Sequence, residues 1–224
     1  MRLAALFSGG KDSTYAARLE EIAGHEIAYL VTLRSRRDDS YMFHTVNIEL
    51  TALLAEALGI ESVVVNTEGE KEVELDDLEN ALRELDIEGI VTGAIASSYQ
   101  KTRIDMICED LGLEHLSPLW GRNTEVLLEE MLQSGMEIII ASVAAMGLDE
   151  KWLGRRLNEE ATVELKLLNE KYGIDICGEG GEMETLVLDA PWFKSRLEVL
   201  RAIPVWDGTR GSYLIEAAEL RKKP

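Results

Sequence analysis

At 224 residues with 46% hydrophobic side chains, the chain is long enough to bury a core as one large domain or two small ones, and its composition is that of an ordinary globular protein. Its 42 acidic against 23 basic residues give a formal net charge of −19, which repels a phosphate backbone over most of the surface and excludes extensive nucleic-acid binding unless a local basic patch supplies it. No apolar run spans a membrane, a strand begins too close to Met1 for a signal peptide, and Cys108 and Cys177 lack C-x-x-C spacing, so the expectations are a cytoplasmic protein with no membrane partner, no disulfide scaffold and no zinc ribbon.

Leu3–Phe7 reads as a buried strand that breaks into Ser8-Gly9-Gly10-Lys11-Asp12-Ser13. Glycines at 9 and 10 permit backbone angles that a side chain forbids, and they let amides approach an anion closely. Ser8, Ser13 and the first amides of the following helix can cradle a polyphosphate, assisted by the positive end of the helix dipole. Lys11 adds a mobile point charge for phosphate oxygens. The spacing is neither Walker A nor G-x-G-x-x-G. Its order, Ser-Gly-Gly-x-Asp-Ser, resembles the PP-loop of the N-type ATP pyrophosphatases, which cleave ATP between its α and β phosphates and adenylate an acceptor. The bland alternative is a strand-to-helix turn rich in small residues.

Asp12–Ala23 follows as a helix with Tyr15, Leu19, Ile22 and Ala23 on one face, and Ile27–Leu33 as the next strand. Arg34, Arg36 and Arg37 form a solvated loop or a group near ATP or a partner; with Lys222-Lys223 they are the few candidates for a basic patch. Val46, Leu50, Leu53, Leu54, Ala57 and Leu58 make a helical stripe that Gly59 stops. Ser62–Val65 is a β-branched strand, Leu75 to Leu85 a helix, and Gly89–Thr92 a strand ending at Gly93. Ser97–Leu111 is a helix with Ile104, Ile107, Cys108 and Leu111 turned inward. Such alternation specifies a parallel sheet with helices on both faces. Right-handed crossovers then place a ligand at the carboxyl ends of the strands, near the switch point, and Ser8, Thr32, Leu33 and Gly93 all fall at such ends.

The rhythm changes after Pro118-Leu119-Trp120-Gly121. Thr124–Gln133 and Asn158–Lys171 read as helices, and Ile138–Ser142 and Thr185–Leu188 as strands. The tail alternates around Leu197–Val205 and Ser212–Ala217. Between them Gly178-Glu179-Gly180-Gly181-Glu182-Met183-Glu184-Thr185 packs carboxylates and glycines together; in extended chain Glu182 and Glu184 point to the same side, and the plain alternative is a solvated acidic turn. The fold class expected is α/β, a parallel-sheet domain over residues 1–121 followed by a smaller α+β domain over residues 122–224.

Three more stretches are distinctive: Tyr41-Met42-Phe43-His44, Gly93-Ala94-Ile95-Ala96-Ser97-Ser98-Tyr99-Gln100-Lys101-Thr102-Arg103, and Pro118-Leu119-Trp120. With Ser8–Ser13 and Glu179–Thr185 they resemble the diphthine–ammonia ligase family, over nearly the whole chain, in what looks like the compact archaeal form without the extra C-terminal domains of many eukaryotic members. That resemblance implies a HUP-like (adenine nucleotide α-hydrolase-like) first domain and an ATP-dependent amidation: the carboxylate of diphthine on translation elongation factor 2 is adenylated, then ammonia displaces AMP and leaves diphthamide.

The resemblance also implies roles. Ser8, Gly9, Gly10, Lys11, Asp12 and Ser13 hold the phosphates, with Asp12 helping to place Mg²⁺. Thr32, Leu33 and Gly93 meet the adenosine. Arg103 suits charge building at the α-phosphate, with a surface salt bridge as the alternative, and Gln100 lies one helical turn from it. Glu179, Glu182 and Glu184 attract the trimethylammonium group of diphthine, with Tyr99 or Trp120 offering an aromatic face, or one glutamate binds ammonium and takes its proton. Trp120 reads as core in preference to a cage. His44 is an active-site candidate and equally a hydrogen-bonded structural histidine. A PP-loop enzyme that modifies tRNA is the rival reading, opposed by the charge and by the lack of paired cysteines; a non-catalytic nucleotide-binding protein of the same fold is the other. The oligomeric state, homo-oligomer included, stays open.

Overall fold

Leu3, Ala4 and Ala5 are small or unbranched at Cβ and almost wholly buried. They sit in β1 (Arg2–Leu6), the centre of a five-stranded sheet, because a strand covered on both faces has no room for polar or bulky residues. In the computed structural model, which describes residues 1–35, 46–68 and 73–223, the chain falls into two units, Met1–Gly121 and Arg122–Pro224.

In the first unit β1 pairs with β2 (Glu26–Ser35) and β4 (Gly89–Val91); β3 (Glu61–Thr67) and β5 (Glu114–Leu116) lie outside them. The order is β3-β2-β1-β4-β5, and every pairing is parallel. The connections run through α1 (Lys11–Ile22), α2 (Thr51–Leu58), α3 (Val73–Arg83) and α4 (Ser98–Leu111). Ala4, Val31, Leu33, Val65 and Ile90 of the sheet pack with Leu78 and Leu82 of α3 and Ile104, Ile107 and Cys108 of α4. Leu3 and Ala5, alternating with Ala4, are buried against the other face. The chain builds outward from β1 to β3 and then returns to β4 on the other side, so the switch point lies between β1 and β4. The α/β expectation holds.

Three local expectations need correction. Residues 46–58 are not one helix: Asn47 adopts φ 60, a short 3-10 turn spans Ile48–Leu50, and α2 starts only at Thr51. The Thr51 hydroxyl donates to the Ile48 carbonyl at 2.6 Å and ties the two pieces together. The α1 face is rotated from the expected one. Tyr15 is buried as expected, but so are Ser13, Ala16, Ala17 and Glu20, while Ile22 is 66% exposed, because the loop before α1 fixes its start and alanines allow close approach to the sheet. Strand β5 was not expected at all; Glu114-His115-Leu116 is too short and too polar to show periodicity.

The second unit is a four-stranded antiparallel sheet in the order β7-β6-β9-β8. Its strands are β6 (Glu137–Val143), β7 (Met183–Asp189), β8 (Ser195–Trp206) and β9 (Gly211–Lys222). Helices α5 (Thr124–Gln133) and α6 (Glu159–Tyr172) bury Leu127, Leu128 and Met131, and Ala161 and Leu165. Asn123 and Asn158 cap them, accepting from the Val126 and Ala161 amides at 3.0 and 2.9 Å. This is the α+β arrangement expected. Among the described residues no helix is long and apolar enough to cross a membrane.

Candidate functional site

The phosphate-loop candidate follows β1 directly. Gly9 has φ 77, a left-handed value that favours glycine. Gly10 has φ −76 and ψ 167, angles any residue reaches, so only the first glycine is required by backbone conformation. The first intrahelical bond of α1 runs from the Thr14 amide to the Gly10 carbonyl at 3.1 Å; amides preceding it lie at the positive end of the helix. Ser13 Oγ accepts from the Ser8 amide and lies 3.3 Å from Ser8 Oγ. Thr14 Oγ1 donates to the Gly10 carbonyl at 2.8 Å and completes a hydroxyl-lined turn that the sequence reading stopped one residue short of.

Lys11 is not the mobile charge expected. It is 2% exposed, and its ammonium is 2.8 Å from Asp12 Oδ2. The other oxygen, Asp12 Oδ1, is buried with no hydrogen-bond partner among the described residues. A buried carboxylate oxygen left over in this way is costly in water-free surroundings and suits a cation. Mg²⁺ takes one or two carboxylates and completes its shell with phosphate oxygens and water, so the residues present fit that ion. Among the described residues no cluster of three His, Cys, Asp or Glu side chains forms a metal site of its own.

Gly93, across the switch point, packs on the start of α1. A Cβ there would stand 2.7 Å from the Asp12 carbonyl carbon and the Ser13 nitrogen, so close approach, not φ, demands the glycine. The Thr32 hydroxyl donates to the Phe7 carbonyl at 2.8 Å and Leu33 is buried in the core. The Thr32 side chain thus ties β2 to the end of β1, and that of Leu33 is taken up by the core.

On α4, Ser97 caps the helix by accepting from the Gln100 amide at 3.4 Å. The Arg103 guanidinium lies 3.5 Å from the Tyr99 ring centroid, a cation–π stack. Tyr99 also packs against the core. Trp120 is 37% exposed, correcting its assignment to the core. Lys101 Nζ lies 5.7 Å from its ring centroid.

One cluster escaped the sequence reading. His115 of β5 donates from Nδ1 to Asp105 Oδ1 at 2.6 Å, since an ionised carboxylate can only accept. Its Nε2 then accepts, with Thr92 Oγ1 at 2.9 Å and Ser117 Oγ at 3.1 Å. Lys101 Nζ donates to Asp105 Oδ2 at 2.8 Å. Burial pushes the His115 imidazole below its usual range, against the pull of Asp105. Burial also pushes Asp105 up, but the hydrogen bonds from Lys101 and His115 outweigh it and hold the carboxyl below its ordinary value.

In the second unit Glu182 is committed to its own loop. Oε1 accepts from the Asp175 amide at 2.9 Å and Oε2 from the Gly180 amide at 2.7 Å. Asp175 Oδ1 accepts from the Cys177 amide at 2.8 Å and the Glu179 amide at 3.4 Å. The segment is therefore an ordered, side-chain-stapled turn and not a solvated acidic one. Glu184 stands in β7 opposite Ser142, with Oε2 buried. His44, with Arg36, Arg37, Tyr41, Met42 and Phe43, lies outside the described residues.

A parallel sheet whose first strand ends in Ser-Gly-Gly-Lys-Asp-Ser beside its switch point defines a HUP-like protein of the PP-loop class. Two family models match this chain, the diphthamide synthase N-terminal domain over residues 1–115 and the diphthamide synthase C-terminal domain over residues 123–220. The chain belongs to the diphthamide synthase family. It is 40% identical to the diphthine–ammonia ligase of Bos taurus and 41% identical to that of Rattus norvegicus, in each case across 89% of this chain and 83% of the relative. It is 37% identical to the diphthine–ammonia ligase of Schizosaccharomyces pombe across 100% of this chain, which spans 40% of that longer protein. A solved structure from Methanocaldococcus jannaschii, described as a predicted subunit of tRNA methyltransferase, aligns with a TM-score of 0.49 and 19% identity over 85% of this chain and 98% of its own.

Proposed function

We propose that this protein is an ATP-dependent, AMP-forming ligase that amidates diphthine on translation elongation factor 2 with ammonium. The observation that carries the reading is the presence, in one chain, of an intact phosphate loop and matches to both diphthamide synthase domains. A carboxylate is a poor acyl donor because oxide is a poor leaving group. Transfer of AMP from ATP makes an acyl-adenylate and releases pyrophosphate; ammonia then attacks the acyl carbon and AMP leaves.

In this reading the α1 amides, Ser8 and Ser13 cradle the triphosphate. Lys11, buried against Asp12, contributes a fixed positive charge from beneath the loop. Asp12 Oδ1 is the protein oxygen offered to Mg²⁺, which when bound neutralises charge on the departing pyrophosphate. Gly93 lets the β4 turn lie against α1 and form the adenosine side of the site. Arg103, oriented by Tyr99, supplies positive charge to the α-phosphate. In the second unit Glu179 and Glu184 are assigned to the cationic substrate groups, the trimethylammonium of diphthine or ammonium, and Glu182 to shaping the loop that carries Glu179.

The test mixes the protein with Mg-ATP, ammonium and diphthine-bearing elongation factor 2, and follows AMP, pyrophosphate and the intact mass of the factor. Nucleotide release that depends on the factor, with the mass change of carboxylate to amide, establishes the ligase. Nucleotide binding without turnover on that acceptor overturns it.

A further inference from the structure

Thr92 immediately follows β4 and Ser117 immediately follows β5, neighbouring strands at the carboxyl edge of the parallel sheet. Their hydroxyls are 3.1 Å apart, and His115 Nε2 sits against both. The Thr92 amide adds a backbone tie, donating to the Leu116 carbonyl at 3.0 Å. The next residue is Gly93, whose Cα packs so closely on the Asp12–Ser13 peptide that a single added carbon would lie 2.7 Å from it. His115 is therefore joined to the phosphate loop by a short run of contacts: imidazole to Thr92 hydroxyl, Thr92 to Gly93, Gly93 to the backbone of Asp12.

We propose that His115, oriented by Asp105, is a positioning residue for nucleotide binding: it fixes the Thr92–Gly93 turn that supports the start of α1. The imidazole is almost wholly buried, with 5% of its side chain exposed, so it acts through the turn and not by touching ATP. Its arrangement depends on protonation. With Nδ1–H given to Asp105, Nε2 accepts a hydroxyl proton, and the two hydroxyls complete the triangle by donating inward. Protonating Nε2 turns that acceptor into a donor, and the hydroxyl that donated to it must turn away. The groups facing the imidazole are few. From α4 come Asp105 and Lys101, with Lys101 Nζ bonded to Asp105, and the Cys108 thiol beside Asp105, which burial keeps protonated. From β4, whose Ile90 lies opposite His115, there is no titratable side chain.

The inference rests on reading residues 8–13 as the ATP site, but it needs no acceptor, so it can be decided apart from the amidation reaction. The experiment measures Mg-ATP binding to the purified full chain by calorimetry between pH 5.5 and 8, for the wild type, His115→Gln and His115→Asn. The Gln amide reaches the position of Nε2 and preserves the contact with Thr92 and Ser117; the Asn amide reaches only the position of Nδ1 and preserves the contact with Asp105. The expected result is a split. His115→Gln binds ATP within about twofold of the wild type at pH 8, whereas His115→Asn binds about tenfold more weakly, the scale of one lost buried hydrogen bond. Affinity for the wild type declines at acid pH more steeply than for His115→Gln, the titration of the nucleotide being common to both.

Should His115→Asn fail to fold, Thr92→Val removes the same contact from the other side, and about tenfold weaker ATP binding is again expected. Equal affinities and superimposable pH profiles in folded variants overturn the proposal, as does equal weakening in Gln and Asn, which marks a merely structural histidine. A wild-type chain that binds no ATP overturns both this and the phosphate-loop reading. One that binds ATP but leaves diphthine unamidated overturns the proposed function alone.

Discussion

The Glu182 carboxylate closes a loop onto Asp175: Oε1 accepts from the Asp175 amide at 2.9 Å while Oε2 accepts from the Gly180 amide at 2.7 Å. Two backbone donors share one ionised side chain, and hydrogen bonds to charged groups are the stronger kind. Glu182→Ala leaves both amides without this acceptor and is expected to cost about 2 kcal/mol, read as a lower thermal midpoint. Glu182→Gln keeps one acceptor oxygen and is expected to cost about half as much. A Glu179→Gln variant is expected to lower the midpoint less than Glu182→Ala and to lower amidation, so melting curves and turnover together separate the residue that shapes the loop from the one assigned to substrate.

Gly93→Ala places a carbon 2.7 Å from the Asp12 and Ser13 backbone, and backbone cannot swing aside as a flexible side chain does. The turn or α1 must shift. A cost of about 1–3 kcal/mol in stability is expected, with a loss of Mg-ATP affinity of at least about tenfold. Denaturant melts and nucleotide titration measure the two. Affinity unchanged in the folded variant shows that the β4 turn does not define the nucleotide site.

These contacts explain which parts of the molecule were legible in the sequence. Alternating apolar runs and glycine stops gave the parallel sheet, because a strand buried on both faces and a helix with one buried stripe each write their own period. Ser8–Ser13 was legible because its residue types are demanded by chemistry at fixed spacing. Residues 92, 105, 115 and 117 were not. They come from the turn after β4, α4, β5 and the turn after β5, and meet only when a three-residue strand takes its place in the sheet. No local pattern announces a strand of that length. The rotation of α1 was hidden for a related reason: Leu19 and Ile22 satisfy a helical stripe, but tertiary contact at Gly93 fixes which side of α1 meets the sheet.

The His115 imidazole makes stability pH-dependent with a definite sign. Its pKa is lowered in the folded protein, by burial first, so the unfolded chain binds the extra proton. Stability is then full above the unfolded value of about 6.5 and falls as pH drops below it toward the lowered folded value. Asp105, also lowered, by the hydrogen bonds that outweigh its burial, adds a further loss only below its own ordinary range. Glu20, which burial raises against the pull of His25, has the opposite sign just above the carboxylate range. Comparing the wild type with His115→Gln removes the other groups: between pH 8 and pH 5.5 the thermal midpoint is expected to fall more in the wild type. Parallel curves would show that the imidazole takes up its proton in the fold without cost.

Both thiols are placed where reagents do not reach them. Cys108 is 3% exposed in the core between α3 and α4, and burial pushes its thiol up to about 12, so almost no thiolate exists at neutral pH. Cys177 is 2% exposed, and its Sγ–H donates to the Thr124 carbonyl at 3.1 Å. Neither has the exposure that nucleophilic cysteine chemistry requires, and Cys108 also lacks the lowered pKa. Iodoacetamide at pH 8 is therefore expected to leave the native protein unlabelled and its AMP-forming turnover unchanged, while the same reagent in denaturant labels both cysteines. Rapid native labelling of either residue accompanied by loss of turnover would restore a thiol-dependent reaction as the working mechanism, because only an accessible thiolate reacts on that timescale.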